Sequence, residues 1–509
     1  MRPIGFAAKT LTNTGRLTTK KGYPSDILRL ISKAYAQTAR MYGPLAFGKV
    51  FNHPDRLKVF LSGRVYEPIP ITWSLALSWV CNNACVLCTF GDRKFSRDEA
   101  VKGPKGLMTK QVVKTIIDQL AEYGAKAIIF TGGGEPTLHP DLLELMSYAK
   151  EKGLDVGLFT NGSFDPAWAT MLLRDVKPSF VRVSLNAPDP VSHRIFHNYA
   201  LGVDNFATAI GNIQTMAQYK FSHPEVKTNL GIGVIVGPNN VDALSGYGQL
   251  IRKLLFDQGR QTGLLNYIAF RPQVVYGGRE MAQQPKSVYL KALTTFWSDL
   301  YPRLHSISNL RLIFVKDRFK MLYRPQQSRA SFCVGQVFRG AIGLSRDNIV
   351  PREKVIDIFG QQESVWPQIF QSLSSPQLQF RSEAEETIYA SLLNESRKQA
   401  AIQLFHQTRL ETPAVFSCDE HNGDNHYKFG DLTSTTIEDI YRGQQREETL
   451  GYIQETGYPL FCPPTCIMAP TNEILARIMG YDLHPRHEGT MADRINRACH
   501  EEILDINFL

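Results

Sequence analysis

Apolar residues change period along the middle of the chain, and the changes mark out elements. Residues 71–79 (Ile-Thr-Trp-Ser-Leu-Ala-Leu-Ser-Trp) are almost continuously apolar, the pattern of a first buried strand. From Thr109 the spacing becomes helical, with Val112, Val113, Ile116, Ile117 and Leu120 on one face and Gly124 at the end. The run 127–131 (Ala-Ile-Ile-Phe-Thr) is too short for a helix and rich in strand formers, so it predicts a buried parallel strand. Residues 141–152 predict a helix stopped by Gly153. Strand patterns recur at 156–160, 180–185, 228–236 and 265–271, with helical patterns around 166–176, 206–219 and 241–255. Six strands alternating with helices predict a parallel βα array, open or closed. Past residue 276 this pattern stops. There 287–304 predicts a helix, 310–315 a strand, and 351–412 a mostly helical insertion.

Length and charge add a frame. A chain of 509 residues can hold two or more domains. It has no run of 18 apolar residues and no apolar core of a signal peptide at its start. Eight cysteines are too few for a disulfide-stapled fold of this length, which predicts a reducing, cytoplasmic setting. The net charge of +9 is concentrated at the front: residues 1–70 hold twelve Lys and Arg against three acids. Such a segment suits an anionic membrane, an acidic substrate or a nucleic acid, or is simply a solvated surface. No recognition module accompanies the charge, which speaks against nucleic acid. Residues 25–43 have the pattern of a basic amphipathic helix, either a peripheral membrane contact or a helix packed on its own domain.

The candidate chemistry sits where the first strand ends. Cys81, Cys85 and Cys88 are spaced as CxxxCxxC. Three thiolates on one short loop neither close a tetrahedral zinc site nor pair off as disulfides. They suit a 4Fe-4S cluster with one iron left open, a zinc site completed by a remote residue, or bystander thiols. One βα unit later the second strand runs into Thr131-Gly132-Gly133-Gly134-Glu135, where glycines permit close backbone approach.

Together these two motifs resemble the radical S-adenosylmethionine (SAM) enzymes. The resemblance implies a partial (β/α)6 TIM-like barrel with the cofactor at the strand C-termini, here over residues 71–276. It implies a cluster on Cys81, Cys85 and Cys88 that chelates SAM and cleaves it reductively to a 5'-deoxyadenosyl radical, which takes a hydrogen atom from the substrate. A flavodoxin- or ferredoxin-type protein is then the expected electron donor. Gly133, Gly134 and Glu135 match the motif that holds the SAM amino group. Asn161 matches the third-strand turn, and Ser184 and Asn186 the motif that meets the SAM carboxylate and ribose. His197 stands where relatives carry an arginine after the fourth strand, so that carboxylate binding would fall to Arg194 or His197; Val234 lies in the adenine-contact segment or packs in the core, and Arg271 at the sixth strand's end faces SAM or substrate or forms a salt bridge. No catalytic side chain beyond these is identified.

The carboxyl-terminal part resembles SPASM and twitch domains. Residues 414–418 resemble the strand that delivers one ligand of their auxiliary cluster, and 429–441 their glycine, strand and helix passage. Cys333, Cys418, Cys462 and Cys466 are the implied ligands of one auxiliary 4Fe-4S cluster, with a zinc site or isolated buried cysteines as the other readings. The expected organisation is a basic extension (1–70), the barrel core (71–276), a bridging helix and strand (277–330), a small α+β auxiliary domain (331–485) with its insertion, and a tail (486–509). Such architectures most often modify ribosomally made peptides. Tailoring of a small molecule or lipid, and an electron carrier without catalysis, are the alternatives.

Overall fold

The computed structural model describes residues 70–86, 88, 106–199, 204–273, 286–314, 339–348, 409–418 and 427–453. The six predicted strands are β1 (Thr72–Ala76), β2 (Ala127–Thr131), β3 (Asp155–Thr160), β4 (Phe180–Ser184), β5 (Asn229–Val236) and β6 (Tyr267–Pro272). They pair in chain order and all run parallel. Between them lie α1 (Lys110–Glu122), α2 (Leu142–Glu151), α3 (Pro166–Met171), α4 (Pro190–His197), α5 (Asn205–Ser222) and α6 (Tyr247–Leu255). Thr109 caps α1 by accepting the Val112 N–H, an interaction worth about 1 kcal/mol. A π turn (Leu172–Val176) prolongs α3 and a 3-10 turn (Val241–Gly246) leads into α6.

The core is one-sided. Trp73, Leu75, Ile128, Phe130, Leu158, Val183, Ile232 and Phe270 share one buried cluster with the helix residues Val113, Ile116, Leu145, Ile213 and Ile251. The strand residues between them, among them Ser74, Ile129, Arg182 and Ala269, point the other way and stand outside that cluster. Crossovers of a single hand put the helices on one side of a sheet that keeps chain order. A doubly wound sheet would instead bury both faces under helices. The wall is therefore of the barrel type, with an inner face turned away from the helices.

The sheet does not end with β6. β7 (Arg311–Phe314), the strand expected over 310–315, lies parallel against β6. The helix expected over 287–304 is α7 (Lys286–Thr295), continued by a π turn and a short helical turn, Tyr301–Leu304. At the opposite edge β8 (Arg339–Asn348) runs parallel to β1, and β9 (Arg409–Phe416) and β10 (Lys428–Asp431) are added antiparallel beyond it. Among the described residues ten strands thus share one sheet, so the parallel pattern continues past residue 276. A short apolar run reads alike whether it opens a new unit or extends an old one, and the pairing of β8 with β1 has no local signal. Arg409 to Thr412, expected in a helical insertion, is strand because it pairs with β8.

α8 (Ile437–Arg442) and α9 (Gln444–Tyr452) follow β10. Ile437, Ile440 and Tyr441 join the main buried cluster. The Ile437 N–H donates to Gln119 Oε1 on α1 at 2.9 Å, and the Tyr441 ring meets Trp73 of β1 at 5.4 Å. No helix among the described residues is long and apolar enough to cross a membrane. The 1–69 segment with its predicted amphipathic helix, Cys333, Cys462, Cys466 and Cys499 lie outside the described residues.

Candidate functional site

β1 is shorter than expected, and the segment after it is built to hold a loop. Beyond Ala76 the chain bridges at Ser78 to Leu107, and the Trp79 N–H donates to Gly106 O at 2.6 Å. Cys81, Cys85 and Cys88 come next, none of them in a disulfide and all partly exposed. The loop leans on the last turn of α4. The Ala84 N–H donates to His197 O at 3.1 Å and the Val86 N–H to Phe196 O at 3.1 Å. Carbonyls at a helix end have no partner within the helix, so they can accept from a neighbouring loop. His197 Nδ1 lies 3.3 Å from Cys85 Sγ, and the ring is almost wholly buried.

Amide side chains fix the rest of the loop. Asn82 Nδ2 donates to Ser163 O at 2.7 Å, and Asn82 Oδ1 accepts from Asn161 Nδ2 at 2.6 Å. Asn205 Nδ2 donates to Asn83 Oδ1 at 2.6 Å and to Asn82 O at 3.2 Å. The cysteine loop is thus tied to the segment after β3, to the end of α4 and to the start of α5. Among the described residues no three His, Cys, Asp or Glu side chains converge on a single metal ion. A 4Fe-4S cube takes each ligand on a different iron, so three thiols spread along one loop fit it.

The glycine turn is packed against the same segment. The Gly134 N–H donates to Ser78 O at 2.8 Å and the Glu135 N–H to Val80 O at 2.7 Å. A Cβ on Gly133 would stand 1.7 Å from the Trp79 ring, and one on Gly134 2.1 Å from Val80 O. These glycines are required by the strand that delivers the thiols. Glu135 is fully engaged: Oε1 accepts from Thr160 Oγ1 (2.6 Å), Thr137 Oγ1 (2.8 Å) and Thr137 N–H (3.2 Å), and Oε2 from Asn161 N–H (2.7 Å). Burial pushes its pKa above the usual carboxylate value, and these donors oppose the shift. The carboxylate braces the ends of β2 and β3 together.

The other predicted residues fall into two groups. Asn161, Ser184, Asn186 and Arg271 lie at the C-terminal ends of their strands, on the same rim as the loop. Asn186 Oδ1 accepts the Ile235 N–H at 2.8 Å, linking the ends of β4 and β5. Val234 points into the helix-side core, the packing role open to it from sequence, while Gly233 and Ile235 face inward beside it. Arg194 lies over the Tyr199 ring at 5.6 Å. His197 is drawn to Cys85. Sequence reasoning missed the asparagine braces and the α4 carbonyls. Asn82 and Asn83 were visible between the cysteines, but a polar loop residue does not name its partner.

The three thiols are offered at the strand-end rim of a one-sided parallel wall, where loop-borne sites of barrel folds lie. Residues 78–241 match the Radical SAM superfamily. It is 32% identical over 157 residues to the Fe-coproporphyrin III synthase of Methanosarcina barkeri, a match covering 31% of this chain and 36% of that protein. It is 31% identical over 188 residues to the mycofactocin maturase MftC of Mycobacterium ulcerans, covering 36% of this chain and 44% of that one. The matched stretch therefore spans less than half the length of these relatives. Streptococcus suis SuiB bound to its precursor peptide SuiA aligns with a TM-score of 0.47 at 11% identity, over 82% of this chain and 76% of that chain.

Proposed function

We propose that the chain is a radical SAM enzyme that cleaves SAM reductively and abstracts a hydrogen atom from its substrate. The observation that carries this reading is the thiol loop held rim-to-rim with the glycine turn by the Ser78–Val80 strand extension. Cys81, Cys85 and Cys88 would hold the 4Fe-4S cluster, which supplies the electron for SAM cleavage. Gly133, Gly134, Ser184 and Asn186 would line the SAM side of the rim. Glu135 and Asn161 keep that rim in shape, and His197 positions Cys85.

A ribosomally made peptide is the first substrate class. Support comes from the SPASM/twitch-like passage, whose glycine, strand and helix are Gly430, β10 and α8. In this reading 71–276 is the core and 331–485 the auxiliary domain, where Cys418 at the end of β9 would join Cys333, Cys462 and Cys466 on one auxiliary cluster. A flavodoxin- or ferredoxin-type donor would supply electrons, and the basic segment 1–70 would meet an acidic leader or a membrane surface. A small-molecule substrate is the second reading, favoured by a relative named for a porphyrin synthase.

The test is iron and sulfide per chain, and 5'-deoxyadenosine formed from SAM with dithionite, in anaerobically reconstituted protein and in the Cys81→Ala/Cys85→Ala/Cys88→Ala variant. About eight irons falling to about four, with cleavage lost, is the expected result. About four falling to none, with cleavage in the parent, would remove the auxiliary cluster. Full iron loading without cleavage, with or without candidate substrates, would sink the enzyme reading.

A further inference from the structure

His197 grips the thiol loop twice. Its carbonyl oxygen accepts the Ala84 N–H at 3.1 Å, and its ring nitrogen Nδ1 stands 3.3 Å from the sulfur of the next loop residue, Cys85. The ring has no room to swing away. It is 1% exposed, lies against the His193 ring with centroids 4.1 Å apart, and meets Phe196 at 5.4 Å. Asn83 is set from the other side. Asn205 Nδ2 is the donor end of its amide because it also reaches the backbone oxygen of Asn82, so the Asn83 atom that faces it at 2.6 Å is Oδ1. Asn83 Nδ2 is thereby turned toward His197 Nδ1, but at 3.5 Å, too long to hold it strongly.

The backbone around the thiols is committed elsewhere. The N–H groups on either side of Cys85 go to carbonyls of α4, Ala84 to His197 O and Val86 to Phe196 O. The Cys88 N–H goes to Cys85 O at 3.1 Å. Hydrogen bonds to the sulfurs are one of the levers a protein has on a cluster's potential, and these three amides are spent on oxygens instead. That leaves the lever to a side chain. A thiolate bound to iron accepts and has no proton to give, so an Nδ1 lone pair facing it is repelled and an Nδ1–H is attracted. With Cys85 on iron, the neutral His197 ring therefore presents Nδ1–H to Sγ. Burial keeps water from competing for that bond and strengthens it.

We propose that His197 raises the reduction potential of the cluster by donating its Nδ1–H to the Cys85 thiolate. The inference rests on the cluster reading above. An added electron increases the negative charge on the sulfurs, so a donor aimed at one of them stabilises the reduced cluster more than the oxidised one. The cluster is then easier for a donor protein to reduce, and the electron it passes to SAM carries less driving force. His197 acts through the ligand and touches no substrate. The sequence left it as a candidate for the SAM carboxylate; here it is assigned to the thiolate.

The test is a potentiometric titration of the anaerobically reconstituted full chain, without SAM and at one fixed pH, with the reduced cluster read by electron paramagnetic resonance. The signal that disappears in the Cys81→Ala/Cys85→Ala/Cys88→Ala variant identifies the cluster to follow. His197→Phe keeps a buried ring and removes the donor. At a given potential it is expected to hold at least tenfold less reduced cluster relative to oxidised, a downward shift of at least about 59 mV for a one-electron couple. His197→Asn places an amide N–H near the position of Nδ1 and is expected to recover most of that shift. An unchanged potential in His197→Phe, or no recovery in His197→Asn, overturns the proposal. A second readout needs no variant to fold. In protein made with histidine carrying the heavy nitrogen isotope, the reduced cluster is expected to show hyperfine coupling to a histidine nitrogen, and its absence overturns the proposal as well. A chain that takes up no iron on these cysteines sinks the cluster reading; a normally loaded cluster whose potential ignores His197→Phe sinks this inference alone.

Discussion

His193 is buried on every side, with its ring stacked 4.1 Å from that of His197 and edge-on to Phe206 at 5.2 Å. Burial lowers its pKa to about 4, against the ordinary value of 6.5. Between pH 6.5 and 4 the unfolded chain holds the proton and the folded one does not, so stability falls as pH drops through that window. Above 6.5 the charge contributes nothing to the difference. A shift of this size is worth on the order of 3 kcal/mol by pH 4. Urea unfolding at pH 7, 5.5 and 4 tests this: His193→Phe is expected to show a much flatter pH dependence than the parent. Parallel curves for the two proteins would mean that His193 is protonated in the fold. From sequence, His197 stood in a motif whose resemblance suggested carboxylate binding, with His193 four residues before it. Their burial against the cysteine loop was not legible, because ring stacking depends on α5 and the loop closing over them.

Short helices matter here more than long ones. α4 has eight residues and ends in the carbonyls that hold the thiol loop. Its start was readable: Asp189 accepts the Ser192 N–H at 2.9 Å, and Pro190 sits in the first turn, where its missing N–H costs nothing. Its end is set by Asn198 in the left-handed region, φ 43°, which turns the chain away. Sequence patterning found the longer, strongly amphipathic helices because their buried stripe repeats. Eight residues give too few repeats to see. Asp189→Ala should weaken this helix by about 1 kcal/mol and speed iron loss to a chelator severalfold, measured in reconstituted protein, without changing the fold by circular dichroism. Unaltered loss kinetics would mean that α4 does not support the loop. Strand ends behave alike. The Cys and Gly motifs were legible as linear spacing, whereas the bridges between strand ends, such as Asn186 to β5, cross more than one element and leave no mark in either.

At the scale of the whole molecule, the wall closes one of its edges with distant chain. β8 covers the open side of β1, the Trp79 indole N–H donates to Leu344 O at 3.2 Å, and Tyr441 packs on Trp73. A bare strand edge is a template for pairing with other chains. A chain ended after Phe314 would uncover β1 and both tryptophans. It is expected to aggregate or bind a hydrophobic dye at concentrations where the full chain stays clear, as seen by light scattering; a clear, cooperative, thermally stable fragment would show that β8 is dispensable. The same pairing sets a clock. Trp79 and Leu344 lie 265 residues apart. A ribosome adding about 5–20 residues per second needs roughly 13–50 s to pass from one to the other. Throughout that interval the nascent strand beside the future thiol loop waits with one flank open, so this edge needs shielding until the last strands are made.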